Sequence, residues 1–329
     1  MNNEAEQLNE FGTGLVLVLF VLGLISWSTA IYRLATGQSL IPFEARRPVP
    51  WEGAWALVAV SGFIGVVLVV STLVAGVHIA QLPPAERALA LKNPETALME
   101  SPGFMLRVLQ ADCASKLLTI SFVAAALMLF KRAVASDLGI SLGRLPLRVL
   151  QGGFVFFLVA PATMLLQYVM VEIVGIKYDH PVIETLKDVK NAQLVYWCAL
   201  AVVVVAPLVE EFVFRGVLQG WLERAFADHR TPADFLDDHD VADDALELTD
   251  ESDLEPPPLT WRHSVIPILI SSVLFSAVHI PQWAALVPLF VFALGLGYLY
   301  RQTHSIWPPV VMHFMLNALS LTMLLFGQK

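Results

Sequence analysis

The sequence predicts an all-α fold, a polytopic transmembrane helical bundle of about eight spans with a catalytic cavity formed by its C-terminal helices. Three observations predict the bundle. Of 329 residues, 57% are hydrophobic and only 15% charged, whereas soluble domains run at about 45–50% apolar and about 25% charged. Mean hydropathy is +0.67. Apolar runs near the roughly 20 residues that a helix needs to cross the hydrocarbon core recur along the chain. They are apolar all round instead of alternating, which excludes a spanning barrel.

The first run, 13–33, follows a stretch with Glu4, Glu6 and Glu10 and no Lys or Arg, the reverse of a cleavable signal. Arg33, Arg46 and Arg47 come after it. Loop Lys and Arg concentrate on the cytoplasmic side, so the N-terminus is expected outside. The second run is 54–80, and 81–104 reads as a short amphipathic or irregular external loop. The third, 110–130, carries Lys116. The fourth, 151–175, has Gly152, Gly153, Pro161 and Ala162, small residues that let helices approach closely. The fifth is 194–214, the sixth (263–280) is short and contains Pro267, and 284–300 and 305–326 complete the set. On this assignment the inner loops hold 11 basic residues and the outer ones 6. The expected protein is integral and multi-pass with both termini outside, in the plasma membrane or a prokaryotic inner membrane. Residues 1–150 are expected to form N-terminal transmembrane helices without a motif, and 151–329 a catalytic core.

The net charge of −9 belongs to one segment. Residues 228–255 hold 12 acidic side chains and one Arg, and the segment ends at Pro256-Pro257-Pro258. Such a composition cannot bury enough surface to order itself. A disordered cytoplasmic loop at about 228–258 is expected, a solvated tether or a docking point for a protein partner. No basic patch or phosphate-binding glycine fingerprint is present, so nucleic acid is not an expected partner. Cys113 and Cys198 both fall in apolar runs and read as buried thiols, neither a disulfide framework nor a metal cluster.

The chemistry sits in the last third. Glu210 and Glu211 lie side by side near the end of the fifth run, where one acidic residue at a helix centre costs roughly 2.5–3.5 kcal/mol to insert. Intramembrane ionisable residues mark functional sites by default. Glu211 and Arg215 are four apart on one helical face and form a favourable pair. Glu210 is rotated by about 100° from its neighbour, so one carboxylate is neutralised and the other is free. Pro207 removes a backbone donor nearby, which predicts a kink or local opening. Phe275 and His279 share a face late in the sixth run, and His313 and Asn317 share one in the last. Each pair alone also fits a structural role in packing or helix contact. Together they supply a carboxylate, two imidazoles, an amide and a guanidinium. A carboxylate with an imidazole can deprotonate a water, and His and Asn N–H groups suit a developing oxyanion.

Glu-Glu-x-x-x-Arg (210–215), Phe-x-x-x-His (275–279) and His-x-x-x-Asn (313–317), in this order, resemble the three motifs of the CPBP family. These are the CAAX proteases and bacteriocin-processing enzymes, also called the Abi or type II CAAX prenyl endopeptidase family. The resemblance covers about 190–326, with every motif position filled; the acidic insertion between the first two motifs is the departure. It implies an intramembrane glutamate-type endopeptidase acting on a membrane-embedded or lipidated peptide or protein. Glu210 and His279 would activate the water, His313 and Asn317 would form the oxyanion hole, Glu211 and Arg215 would brace the first motif, and Phe275 would pack beside the cavity. No cofactor is favoured. A zinc-dependent version of the same hydrolysis would use Glu210, His279 and His313 as ligands. A membrane scaffold or bacteriocin-immunity factor is the alternative outside enzymology. A proton-coupled transporter would use the same buried groups, but repeated halves with broken helices are not visible.

Overall fold

The computed structural model describes residues 2–92, 102–176, 192–226, 265–280 and 282–326, and among them every regular element is a helix. In chain order these are α1 (Asn2–Ala35), α2 (Gly53–Gln81), the short α3 (Pro84–Lys92), α4 (Pro102–Lys131), α5 (Leu145–Tyr168, continued by a π-helical turn at Val169–Ile173), α6 (Ala192–Phe226), α7 (Ile266–Ala277), α8 (Leu286–Thr303) and α9 (Trp307–Phe326). Seven of them, all but α3 and α7, contain a stretch long and apolar enough to cross a membrane. The chain is an integral, multi-pass membrane protein. The acidic segment 228–255 lies outside the described residues.

The sixth expected span ends earlier than residue 280. Its described helix, α7, has 12 residues, about 18 Å of rise, and the residues before 265 lie outside the described ones. Beyond Ala277 come a turn at 278–280 and a 3₁₀ turn at Trp283–Ala285. The sequence places Pro281 here, and the residue before a proline disfavours helical backbone. His279 therefore sits in the turn that ends α7, not inside a continuous span.

Two other helices are longer than their apolar runs. In α4, Lys116 pairs with Asp112 one turn earlier at 2.8 Å, so the charge that weakened the run is matched within the helix. In α6 the chain runs on past Glu210, Glu211 and Arg215 to Phe226, because Glu211 and Arg215 pair inside the protein. Pro207 has its expected consequence. It supplies no N–H to the helix ladder, and α6 widens into π-helical turns on either side, at Leu200–Val205 and Phe212–Gln219. Such turns occur often at functional sites.

Helix α6 is the central element, packed by α2, α4, α7, α8 and α9. The turns of one end of the bundle tie it in place. Glu44 N–H donates to Gln302 O at 2.8 Å, and Ile306 N–H to Gly139 O at 3.0 Å. Trp51 Nε1 donates to Val217 O at 3.1 Å, and Arg224 to Val49 O at 2.8 Å. Arg148 grips Glu44 through two bonds of 2.6 and 2.8 Å, and Arg47 grips Asp137 at 2.8 and 2.9 Å. Segments 36–52, 132–144 and 304–306 thus meet where α6 ends. It follows from this alternation that α1 begins and α9 finishes at the opposite end.

Helix α5 lies against α9, and its glycine pair behaves unequally. A Cβ on Gly152 would come 2.5 Å from Pro308 O and 2.9 Å from Val311 Cβ, whereas one on Gly153 meets nothing nearer than Met315 Sδ at 3.9 Å. Gly152→Ala is expected to destabilise the protein by about 1–3 kcal/mol through overpacking against backbone. Gly153→Ala should be tolerated. Paired thermal unfolding curves check this; equal curves for the two variants would contradict the close α5–α9 approach.

At the knotted end, His304 sits just past α8. Its Nδ1 donates to Glu44 O at 2.7 Å, and its Nε2 lies 3.3 Å from Glu223 and 3.4 Å from Arg301. Burial, then the Arg46 charge, hold its pKa below the ordinary 6.5, with Glu223 opposing. The fold favours neutral His304, so its contribution is complete above the unfolded histidine's pKa and is lost as pH falls below it. Thermal stability should therefore drop on acidification through that range. His304→Gln should remove that part of the drop, and an unchanged pH profile would refute the assignment.

Candidate active site

Glu211 and Arg215 are both fully buried, on the π-widened part of α6. Arg215 Nε donates to Glu211 Oε2 at 3.1 Å, the one-turn pair expected from their spacing. The other carboxylate oxygen, Oε1, lies 3.0 Å from Nδ1 of His313 on α9. Glu211 thus joins two helices, a link that helical spacing on α6 alone does not reveal. The guanidinium also stands over the face of Phe275, 5.2 Å from the ring centroid. Phe275 in turn packs edge-on against His313 (5.7 Å) and Phe214 (5.5 Å), and tilted against His279 (5.2 Å). Phe292 of α8 closes the other side of His313 at 5.8 Å. These contacts bring five of the seven motif residues into one cluster, four of them buried and His279 at its half-buried edge.

The hydrogen bonds select tautomers. His279 Nδ1 lies 2.8 Å from Phe275 O; a carbonyl only accepts, so Nδ1 carries the proton and Nε2 of the neutral ring is basic. For His313, Nδ1 faces Glu211 Oε1 while Oε2 of the same carboxylate accepts from Arg215; with Nδ1 donating to Glu211, Nε2 is the ring's remaining polar atom.

The other two motif residues stand apart from the cluster. Glu210 is half-buried, and no hydrogen bond or ion pair engages it among the described residues. Asn317 is also half-buried and donates one amide hydrogen to Val202 O at 2.8 Å, on the first π-turn of α6. The second hydrogen of its amide is uncommitted by that bond. His279 is half-buried too. The motif residues therefore divide into fully or nearly fully buried groups (Glu211, Arg215, Phe275, His313) and partly exposed ones (Glu210, His279, Asn317). Among the described residues, no three His, Cys, Asp or Glu side chains come together in a way that could hold a metal ion. Glu210, His279 and His313 do not meet as a zinc ligand set. Both cysteines are buried free thiols.

Three participants are absent from the motif pattern. Ser271 of α7 accepts from Arg215 Nη1 at 2.6 Å and donates to Phe214 O at 3.0 Å. Phe292 and the Val202 carbonyl are the others. A serine one helical turn before Phe275 is a sequence signal for the first; the backbone carbonyl leaves none.

Residues 192–319 match the family model described as type II CAAX prenyl endopeptidase Rce1-like. Over these residues the chain is similar to the CAAX-protease family. The match spans all seven motif residues, together with Ser271, Phe292 and Val202. No curated protein and no solved structure matches the chain significantly. The Rce1-like domain thus comprises α6 to α9, the helices that converge on Glu211.

Proposed function

We propose that the Rce1-like domain is an intramembrane endopeptidase that hydrolyses a peptide bond in a membrane-associated substrate, a prenylated CAAX-type peptide being the class that the family name indicates. The carrying observation is the division of the motif residues by exposure. Groups that must reach water and substrate (Glu210, His279, Asn317) are partly open, and the groups that hold them are sealed.

In this reading a water is bound between Glu210 and His279. Glu210, carrying no internal partner, takes its proton, and the basic Nε2 of His279 holds the other hydrogen. The hydroxide adds to the scissile carbonyl. The uncommitted Asn317 N–H and Nε2–H of His313 stabilise the oxyanion. With Nδ1 donating to Glu211, His313 offers that second N–H as an imidazolium, whose charge Glu211 compensates. Glu210 then returns its proton to the leaving amine. Every step uses side chains of the chain itself, and no metal or other cofactor enters the scheme. The catalytic core extends over 151–329, since α5 packs on both α8 and α9. The knotted end carries the basic loops and faces the cytoplasm, with both termini outside. The acidic segment is a tether or a partner's docking point.

Comparative peptidomics of membranes containing the wild-type protein or Glu210→Ala tests the substrate class. Membrane peptides with intact C-termini should accumulate with the variant. Identical peptide profiles from both membranes would refute the proposal.

A further inference from the structure

We propose that Ser271, which lies outside the three motifs, is a positioning residue for the reaction, acting through Arg215 and Glu211 on His313. This inference rests on the hydrolytic reading above. Ser271 is fully buried on α7. Its hydroxyl accepts from Arg215 Nη1 at 2.6 Å and donates to Phe214 O at 3.0 Å. With donor and acceptor both engaged, the hydroxyl rotor has one orientation. The bond continues as a relay: Arg215 Nε to Glu211 Oε2 at 3.1 Å, then Glu211 Oε1 to His313 Nδ1 at 3.0 Å.

Apart from Ser271, Arg215 is held through Nε on Glu211 and by the Phe275 ring face. Its Nη2 is buried with no hydrogen-bond partner. Without Ser271 both terminal nitrogens would be unpaired in a dry site, an expensive arrangement for a charged group. The guanidinium would turn toward another acceptor. Glu210, next to Glu211 on α6, is a carboxylate that no hydrogen bond engages among the described residues. A new Arg215–Glu210 pair would both loosen Glu211 and occupy the base. The neighbouring Ser272 is an internal control. It is equally buried, yet its Oγ has no partner, so removing that hydroxyl deletes no bond.

The test compares Ser271→Ala, Ser271→Thr and Ser272→Ala on a farnesylated CAAX peptide in vesicles, with Glu210→Gln as reference. Ser271→Ala should lower kcat about 10- to 100-fold, the range for outer partners of site ligands at metal centres, with KM unchanged. Ser271→Thr, which keeps the hydroxyl, should recover most of the rate, and Ser272→Ala should match wild type. NMR of histidine-labelled protein, with the His313 signal assigned by its loss in His313→Gln, supplies a readout that needs no turnover. That signal should shift in Ser271→Ala and stay in place in Ser272→Ala. If Ser271→Ala does not fold, Ser271→Cys, of similar size but a weak acceptor, carries the same expectations. An unshifted His313 signal, or a wild-type kcat, in the Ser271 variant overturns the inference. A wild-type protein that cleaves nothing overturns the hydrolytic reading instead, and the His313 spectra still decide the role of Ser271.

Discussion

Arg215→Ala should destabilise the protein by about 3–5 kcal/mol, the range for removing one partner of a buried ion pair. Both partners are fully buried, so water cannot take over the lost contact. Glu211 would keep only His313, and Phe275 would lose the cation over its ring face. Glu211→Leu combined with Arg215→Met should behave differently. Replacing a buried pair by apolar side chains of similar volume is often neutral, so much of the stability should return. Activity should not, because His313 would then have no acceptor at Nδ1. Thermal unfolding and turnover measured on the same preparations separate the two effects. An Arg215→Ala protein that melts like wild type would show that the Glu211–Arg215 bond contributes nothing to the fold.

Glu210→Gln should have the opposite profile. The side chain is half-buried and no hydrogen bond engages it among the described residues, so an isosteric amide should shift stability by no more than about 0.5 kcal/mol. An amide cannot take a proton from water, and loss of a positioned base typically costs about 10²- to 10⁴-fold in rate. Two adjacent glutamates would thus fail in unlike ways. Changes at the Glu211 pair act on folding and chemistry together, and the change at Glu210 on chemistry alone.

The pairing behind this contrast is legible in the sequence. Helical spacing puts Glu211 and Arg215 on one face and turns Glu210 away, and the buried 3.1 Å bond has that geometry. The apolar runs locate seven long helices, and Pro207 announces the opened helix that surrounds the glutamates. Sequence reasoning fails where partners come from distant parts of the chain. Glu211 and His313 are separated by 102 positions, and Arg215 and Ser271 by 56; helical periodicity says nothing about which side chains meet across helices. The C-terminal end of the sixth run is overread because an apolar composition alone does not report where a helix stops. Arg215 misleads in the other direction. Counted as a charge it shortens α6, whereas it is neutralised by a carboxylate one turn earlier.

The central claim is that Glu210 does chemistry while Glu211 holds structure. The direct test is turnover of purified Glu210→Gln on a prenylated CAAX peptide in vesicles, recorded with its unfolding curve. The predicted result is a wild-type unfolding curve with cleavage reduced at least about 100-fold. Wild-type cleavage by a normally folded Glu210→Gln protein would contradict the account.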